Sequence, residues 1–314
     1  MLALRACPVC GSADLRPLFQ WNDNSCDTTF FVETCNACTV AFVNPQPTWE
    51  ELQPYYTESY WPYQPPNAEE LASILKVALQ TREYDRIKLN SSDSVLEIGP
   101  GSGRFLLAAQ HVCRSAIGVE PSPAATKILR AQGCNIHNSH FEEFARSYVG
   151  EKFSLVVMSH VLEHLPQPVD TLRQIKSVMG SDSVLLMRMP NAGSWAFQVV
   201  KGEWMGTDLP RHLIHWNERA LTTLAQRTGM KIVKATYDSP PGIVAQAMTA
   251  RARFGFKIPD RIVWLAPKLI DRIAARLSQR WITPATAMNI EVHLQAADWS
   301  CPRICRSMPN LSPP

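Results

Sequence analysis

The chain has 314 residues, of which 46% are apolar and 19% are charged, and its formal net charge is +3. These values are typical of a globular protein with one large α/β domain and an appendage, or with two ordinary domains, and the small net charge gives no electrostatic reason to expect nucleic acid as a partner. No run of about eighteen apolar residues predicts a membrane-spanning helix, and the N-terminal residues lack the apolar run of a signal peptide, so a cytoplasmic location is expected.

Residues 1–65 carry five of the nine cysteines and end in a stretch rich in proline and aromatic residues. Two pairs, Cys7 with Cys10 and Cys35 with Cys38, each have two intervening residues, and 24 residues separate the pairs. In a reducing compartment this spacing favours tetrahedral thiolate ligation of a structural zinc ion over disulfide formation. The alternative is a set of reduced cysteines without a metal. The density of prolines that follows predicts a linker.

From residue 66 to residue 296, short apolar runs alternate with segments of helical spacing. The predicted strands are residues 94–98, 116–120, 135–137, 153–158, 183–187, 230–237 and 288–294. The predicted helices are residues 68–89, 104–113, 124–131, 169–179 and 219–227. This rhythm predicts a doubly wound α/β domain, with helices on both faces of a mostly parallel sheet.

Three segments interrupt or follow this rhythm. Residues 190–217 form a long connection that predicts a cap over a binding site, with a packed surface excursion as the alternative. Residues 238–287 form an insertion, and within it residues 259–281 have the spacing of an amphipathic helix with basic residues between the apolar ones. That helix suits core packing or a homodimer contact, and its basic face leaves peripheral membrane contact open. Residues 297–314 predict a poorly ordered tail.

A glycine-rich turn joins the first predicted strand to the helix that follows it. Gly99, Gly101 and Gly103 allow a tight turn and close backbone approach, and the helix N-terminus offers free N–H donors to a nucleotide-like ligand. A dinucleotide fingerprint would have glycine at the position of Arg104, so a dehydrogenase is disfavoured. Glu120 ends the second strand, where a carboxylate accepts hydrogen bonds from ribose hydroxyls. Together these features predict a nucleoside cofactor without a pyrophosphate.

Three segments, Glu97–Gly103, Val119–Ser122 and Ser159–Leu165, resemble successive motifs of class I S-adenosylmethionine-dependent methyltransferases. The resemblance covers about residues 70–237. It implies a Rossmann-like sheet of seven strands, mostly parallel, with the last strand antiparallel, and it implies S-adenosylmethionine as cofactor.

The resemblance also implies which residues bind that cofactor. Residues at the end of the first strand would contact its methionine part, those after the second strand its ribose, and those after the third strand its adenine. Residues after the fourth strand would face the methionine part or the substrate. The implied cofactor-binding residues are Glu97, Gly99, Gly101, Gly103, Glu120, Pro121, His140, Phe141, Ser159 and His160.

The cysteine quartet and the segment Asp208–Trp216 resemble a smaller subgroup of bacterial methyltransferases that have an N-terminal zinc-ribbon-like leader. By this resemblance, residues 1–65 are a zinc-ribbon-like module and linker, and residues 66–296 are the methyltransferase domain. Genes for members of the subgroup often lie among those for surface polysaccharide or natural-product assembly. The resemblance therefore implies a small-molecule acceptor, with a hydroxyl of a sugar or of a secondary-metabolite intermediate as the first expectation.

Methyl transfer to oxygen needs an aligned nucleophile and a base that removes its proton. The candidate bases are His212, His160 and His215, with His212 preferred because it lies in the predicted cap, although it could instead hold the cap to the sheet. Arg211 suits an anionic substrate group, or it pairs with Asp208. Two other functions stay open: an O- or C-methyltransferase acting on a quinone or lipid at a membrane surface, and a binding protein with a degenerate, non-catalytic methyltransferase fold.

Overall fold

The computed structural model describes residues 1–23, 28–56, 61–204, 206–238, 284–285 and 287–297. Its strands are β1 (Leu15–Asp23), β2 (Thr28–Cys35), β3 (Ala41–Val43), β4 (Glu83–Tyr84), β5 (Ile87–Lys88), β6 (Ser94–Ile98), β7 (Ser115–Val119), β8 (Ile136–His137), β9 (Phe153–Ser159), β10 (Met179–Pro190), β11 (Ile214–His215), β12 (Met230–Asp238) and β13 (Asn289–Ala296). Its α-helices are α1 (Trp49–Leu52), α2 (Ala68–Thr81), α3 (Arg104–Val112), α4 (Pro123–Ala131), α5 (Phe141–Ser147), α6 (Pro168–Val178), α7 (Trp195–Val200) and α8 (Glu218–Arg227). Short 3-10 helices span Gln53–Tyr55, Trp61–Tyr63, Leu162–His164 and Lys201–Glu203.

A seven-stranded sheet forms the centre of the protein, in the order β12-β13-β10-β9-β6-β7-β8. Strand β13 runs antiparallel to both of its neighbours, and the pairs from β10 to β8 are parallel. All five residues of β6 are buried, as expected for a parallel strand that is covered on both faces. The predicted doubly wound sheet of seven strands with an antiparallel last strand is confirmed.

The helix predicted over residues 68–89 is shorter in the structure. Helix α2 ends at Thr81, and its C-cap, Arg82, has a left-handed backbone with φ 55°. Strands β4 and β5 then form a small hairpin whose turn residues, Asp85 and Arg86, also have positive φ. The apolar spacing continues through this hairpin, and for that reason the sequence pattern did not show the end of the helix. The fifth strand is also longer than predicted, because Met179 already pairs with Phe153.

A second sheet combines the N-terminal segment with the predicted cap. Its order is β1-β2-β3-β11, and its pairs are antiparallel. Strand β11 comes from the long connection after β10, and its two residues pair with Phe42 and Ala41 of β3. The backbone N–H of Val43 also donates to the carbonyl oxygen of Leu213, at 2.9 Å. The leader and the cap therefore share one hydrogen-bonded sheet.

The leader also packs against the central domain. Arg227 of α8 donates to the carbonyl oxygen of Val9 at 3.1 Å, and Arg219 donates to that of Ala37 at 2.7 Å. Val9 and Trp216 are fully buried and belong to the same apolar cluster as the residues of β9 and β10. One continuous core thus connects the cysteine-rich leader with the sheet.

Several sequence predictions lie outside the described residues. These are the amphipathic helix at 259–281, most of the insertion at 238–287 and nearly all of the tail at 297–314. Within the part that is described, no helix has both the length and the apolar character needed to cross a membrane.

Candidate functional site

The glycine turn between β6 and α3 has the backbone conformation that its sequence predicts. Gly99, Gly101 and Gly103 have φ values of 66°, 54° and 76°, a region that other residues rarely adopt. A Cβ on Gly99 would lie 2.7 Å from a methyl carbon of Val161, and one on Gly101 would lie 3.0 Å from the carbonyl oxygen of Pro62. The turn therefore lies tightly beneath the loop after β9 and the Trp61–Tyr63 helix, and a side chain at either glycine would close that space.

Glu97 is the residue of β6 that places a carboxyl group at this turn. Its side chain is 4% exposed, and its Oε2 has no hydrogen-bond partner among the residues that the structure describes. Burial raises the pKa of Glu97 to about 8, a backbone hydrogen bond at Leu106 lowers it in part, and the charge of Glu120 raises it further. An unpartnered carboxylate oxygen in such a place is costly unless a bound cation or donor satisfies it.

Glu120 follows β7 and lies close to the same turn. It is 4% exposed, and burial raises its pKa to about 7 although the backbone N–H of Ser122 donates to its Oε1 at 2.9 Å. Asn138 donates to the carbonyl oxygens of Glu120 and Pro121, at 3.0 and 3.1 Å, and so links the ends of β7 and β8. Tyr63 is buried nearby, and its pKa is raised to about 12 by burial and by the charge of Glu120. The leader thus contributes a side chain beside this carboxylate.

The two residues predicted beside an adenine have different environments. His140 is exposed and is the N-cap of α5, with its ring 5.9 Å from that of Trp49 in an edge-to-face arrangement. Phe141 is 6% exposed, belongs to the main apolar cluster and packs against Phe144. Of the two, His140 is the side chain that faces solvent at the edge of the sheet.

Ser159 ends β9, and His160 follows it with an unusual backbone. His160 has φ 56°, and its N–H donates to the carbonyl oxygen of Arg188 at 2.8 Å. Its side chain is 45% exposed, and its Nδ1 lies 3.3 Å from Oε1 of Glu163. A non-glycine residue held in the left-handed region is a form of backbone strain that is common at functional sites.

Behind His160 lies a buried cluster that joins the Leu162–His164 helix to the cap. Glu163 is 1% exposed, and neither of its carboxylate oxygens has an aligned hydrogen-bond partner within the described residues. Burial raises its pKa, but the neighbouring His160, His212 and His164 outweigh this effect and hold the pKa at about 2. Burial lowers the pKa of His164 to about 4.

The cap side of the cluster contributes His212, Asp208 and Arg211. His212 is 7% exposed, its Nδ1 lies 2.9 Å from the carbonyl oxygen of Gly206, and its Nε2 lies 3.7 Å from Oδ2 of Asp208. The guanidinium of Arg211 pairs with both carboxylate oxygens of Asp208, one bond being 2.8 Å long from Nε. Arg211 therefore makes the intramolecular pair that the sequence left as an alternative to substrate binding.

His215 lies apart from the other two histidines that were considered as bases. It belongs to β11, is 3% exposed, and packs with its ring 5.4 Å from that of Phe197. Burial lowers its pKa to about 3, and its Nε2 has no hydrogen-bond partner in the described part of the chain. Its surroundings are those of a core side chain.

Cys7, Cys10, Cys35 and Cys38 of the leader lie together. One sulfur atom of each is within 4.8 Å of the others, with Cys7 Sγ 3.5 Å from Cys38 Sγ and Cys10 Sγ 3.4 Å from Cys35 Sγ. Zinc–sulfur bonds of about 2.3 Å in a tetrahedron place the sulfur atoms about 3.8 Å apart, so the quartet needs little adjustment to hold zinc. The backbone N–H groups of Val9 and Cys10 approach Cys7 Sγ, each at 3.4 Å.

Two similar turns present the cysteine pairs. Gly11 has φ 77° and donates to the carbonyl oxygen of Cys7 at 2.9 Å. Thr39 has φ 63° and donates to that of Cys35 at 2.8 Å. Threonine thus adopts the left-handed conformation for which the first turn has glycine, and the second turn keeps the same hydrogen bond.

Comparison with known proteins agrees with this geometry. A family model described as a methyltransferase domain matches residues 66–235, which is more than half of the chain. The chain belongs to this family. The prediction of a class I S-adenosylmethionine-dependent methyltransferase is thereby confirmed at the level of the family.

Two curated relatives of the methyltransferase are ubiquinone biosynthesis O-methyltransferases. That of Actinobacillus pleuropneumoniae serotype 5b (strain L20) is 26% identical over 129 residues, which cover 38% of this chain and 55% of the relative. That of Histophilus somni (strain 2336) is 26% identical over 149 residues, which cover 40% and 63%. The chain therefore spans little more than half of the length of the curated relatives that it matches.

Solved structures of distant methyltransferases are also similar. An S-adenosylmethionine-dependent methyltransferase from Archaeoglobus fulgidus has 16% identity and a TM-score of 0.46, covering 72% of this chain and 94% of that one. One from Mesorhizobium loti has 14% identity and a TM-score of 0.44, covering 72% and 99%.

Two residues of the candidate site were not among the sequence predictions. Tyr63 lies in the proline-rich stretch that was interpreted as a linker, and no periodicity marks it. Glu163 stands between two histidines of its motif, and only its burial with unpartnered oxygens distinguishes it from an exposed helix residue. The signal in the sequence was a carboxylate flanked by Leu162 and His164 in the short segment after β9.

Proposed function

We propose that the protein transfers a methyl group from S-adenosylmethionine to an oxygen atom of a small molecule, with a hydroxyl of a sugar or of a secondary-metabolite intermediate as the first acceptor class. The observation that carries this proposal is the pair of buried carboxylates, Glu97 and Glu120, at the ends of adjacent strands beside a left-handed glycine turn. This arrangement offers a cationic nucleoside two carboxyl groups that ionise when it binds, and it leaves no space for side chains at the glycines.

The residues present fit the cofactor. Glu97 has an unpartnered, buried carboxylate oxygen that would accept from the ammonium group of the methionine part, and Glu120 would accept from ribose hydroxyls. A Cβ at Gly99, Gly101 or Gly103 would lie within 3.0 Å of a neighbouring protein atom, so glycine is needed at each position for the turn to keep this conformation. When bound, the cofactor supplies a methyl group on a sulfonium, which is already activated for displacement.

Further residues at the same edge of the sheet complete the proposed cofactor site. Pro121 follows Glu120 in its turn, and His140 is one of the exposed residues after β8. Phe141 packs below it as part of the apolar floor, and Ser159 is exposed at the end of β9. Because the carboxyl ends of parallel strands share one edge of the sheet, these residues would line one side of the proposed cofactor site.

His160 is the histidine that the geometry favours as base. It is exposed at the carboxyl end of β9, and its Nδ1 faces the carboxylate of Glu163 at 3.3 Å. A carboxylate can only accept, so Nδ1 carries the proton and Nε2 keeps a lone pair that is able to take a proton from an acceptor hydroxyl. His212 is nearly buried and bonded to the carbonyl oxygen of Gly206, so its contribution is to position the cap, and His215 packs in the core.

Replacement of His160 by alanine should lower the turnover number about 100-fold or more, the usual contribution of general-base catalysis, and should leave the dissociation constant for S-adenosylmethionine within about threefold of the wild-type value. His212→Ala should lower turnover less. The measurement is the initial rate of S-adenosylhomocysteine formation, together with calorimetric titration of cofactor. The exposed His111→Ala is the matched control. Unchanged turnover in His160→Ala would exclude it as the base.

A second acceptor class is favoured by the two curated relatives, whose names specify O-methylation in ubiquinone biosynthesis. Phenolic hydroxyls of quinone precursors are therefore tested beside sugar nucleotides and simple phenols in one panel. Turnover with a sugar nucleotide alone supports the first class, and turnover with a quinone precursor alone replaces it by the second. Failure of the protein to bind S-adenosylmethionine at all would reject both and favour a non-catalytic binding protein.

We also propose that Cys7, Cys10, Cys35 and Cys38 hold a structural zinc ion. The sulfur distances and the N–H groups directed at Cys7 support it. Four thiolates close the coordination shell, so this zinc would stabilise the leader and take no part in the transfer.

A further inference from the structure

Glu163 is a buried carboxylate for which the proposed methyl transfer has no direct role. Its side chain is 1% exposed, yet neither carboxylate oxygen has an aligned hydrogen bond from the described residues. His160 lies 3.3 Å away and His212 lies 3.9 Å away, distances at which their rings attract the carboxylate without bonding it well. A buried carboxylate is normally paired with a cation, fully hydrogen-bonded or bound to a metal.

The hydrogen-bond partners of His164 and His212 indicate which ring nitrogen of each is available to bind a metal. His164 Nδ1 lies 3.0 Å from the carbonyl oxygen of Arg211 and 3.0 Å from the hydroxyl oxygen of Tyr56, and His212 Nδ1 lies 2.9 Å from the carbonyl oxygen of Gly206. A carbonyl oxygen only accepts and a tyrosine hydroxyl accepts as well as donates, so a proton on each Nδ1 satisfies all of these contacts and leaves a lone pair on each Nε2. Histidines that bind metals commonly donate their other ring N–H to a carbonyl in this way, because the bond fixes tautomer and orientation.

The three groups are close enough to share one ion. One ligand atom from each of Glu163, His164 and His212 lies within 4.8 Å of the others, and His212 Nε2 is 3.9 Å from Glu163 Oε1. Metal–ligand bonds of about 2.1 Å in a tetrahedron hold the ligand atoms about 3.4 Å apart, so small rotations of side chains suffice.

We infer that Glu163, His164 and His212 bind one divalent transition-metal ion, at a site separate from the cysteine quartet. Two imidazoles and one carboxylate suit Zn²⁺, and also Mn²⁺ or Fe²⁺, better than Ca²⁺ or Mg²⁺, which prefer oxygen ligands throughout. Three protein ligands leave a coordination position for water or for an oxygen of a bound molecule, unlike the closed shell of four thiolates.

The ligands of this proposed metal site come from two different parts of the chain. Glu163 and His164 belong to the 3-10 helix after β9, whereas His212 belongs to the cap. An ion shared between them would join the cap to the central sheet beside the exposed ring of His160. The inference concerns metal binding alone and does not depend on the proposed methyl transfer.

The test is cobalt titration of the full-length, metal-stripped protein, followed by absorption spectroscopy and calorimetry. Co²⁺ bound to thiolates gives intense sulfur-to-metal charge-transfer bands, whereas Co²⁺ bound to nitrogen and oxygen gives only weak visible bands. We expect two equivalents of Co²⁺ in the wild-type protein, one of each spectral kind. A wild-type protein that binds only thiolate-type Co²⁺, or none, would overturn the inference without recourse to any variant.

Variants then assign the second equivalent. Glu163→Gln keeps the shape of the side chain but removes its charge, and it should weaken the non-thiolate Co²⁺ site about 100-fold or more while the thiolate bands stay unchanged. His164→Gln is a second ligand variant, in case Glu163→Gln does not fold. The exposed Glu69→Gln is the matched control. Retention of the non-thiolate band in both folded ligand variants would place that ion elsewhere and refute the assignment.

Discussion

Replacement of Glu97 by glutamine should weaken binding of S-adenosylmethionine about 10- to 100-fold at pH 8. The side chain keeps its shape, but one hydrogen bond to a cationic group loses its charge, a difference typically of about 1.5–3 kcal/mol. Titration calorimetry measures the dissociation constant, and Glu142→Gln on α5 serves as a control in which a carboxylate is lost away from the glycine turn. An unchanged dissociation constant would show that Glu97 does not contact the cofactor.

Glu97, together with Glu120, should make the stability of the folded protein depend on pH. Burial raises the pKa of Glu97 from its ordinary value of 4.5 to about 8, and that of Glu120 to about 7. The folded protein therefore holds these protons more tightly than the unfolded chain does. In the absence of cofactor, the contribution of the two groups to the free energy of unfolding is fully present below pH 4.5. It is lost as the pH rises to about 8.

Cofactor affinity should follow the opposite course, because a cationic ligand binds the ionised carboxylates. We expect the dissociation constant to fall as the pH rises from 6 to about 8, and to depend less on pH in Glu97→Gln, where only Glu120 still titrates. Calorimetric titrations across this interval, in buffers of different ionisation enthalpy, also count the protons released. A dissociation constant that does not change with pH would contradict the assignment of both carboxylates.

Loss of one cysteine of the proposed zinc site should destabilise more than the leader. We expect Cys35→Ser, or removal of zinc by a chelator, to lower the free energy of unfolding by several kcal/mol and the melting midpoint by roughly 10 °C or more. Zinc would hold together the turn that precedes β1 and the turn that follows β2, and β2 leads through β3 to β11 of the cap. Differential scanning fluorimetry with metal analysis measures both quantities.

Hydrogen exchange locates the effect. Faster exchange should extend from residues 28–43 to the backbone of Leu213 and Ile214, which pair with β3 or with Glu163. Cys113→Ser, a half-buried cysteine outside the quartet, is the control and should keep both the zinc and the protection of the cap. A Cys35→Ser protein with normal zinc content and melting midpoint would refute the structural zinc site.

Much of the fold was predictable because its signals are local. Apolar runs such as Val95–Ile98 and glycines at three left-handed positions specify a strand and a turn wherever the rest of the chain lies. The end of α2 was not predictable, because Arg82, Asp85 and Arg86 adopt positive φ without the glycine or asparagine that usually marks such a turn. Strand β11 was also missed, since two residues that pair across the molecule have no periodicity of their own.

In the candidate site too, the residues that belong to local motifs were predictable, and those whose environment depends on distant segments were not. Residues on the glycine turn and at the end of β7 follow from motif spacing. The environment of His212 does not, because whether a histidine in a cap is exposed depends on contacts between distant segments, here with Gly206 and Asp208. Likewise, the exposure of His160 and the burial of Glu163 three residues later result from one 3-10 turn.

The shared sheet of leader and cap has a consequence for how this protein can be divided or recombined. A recombinant fragment that began at residue 66, the start of the family match, would retain β11 but remove its partner β3. Two backbone pairs would be left at an open edge, and Trp216, now fully buried, would lose part of its cover. Exchange of modules between related enzymes would therefore have to transfer the leader and residues 206–216 together, although more than a hundred residues of sequence separate them.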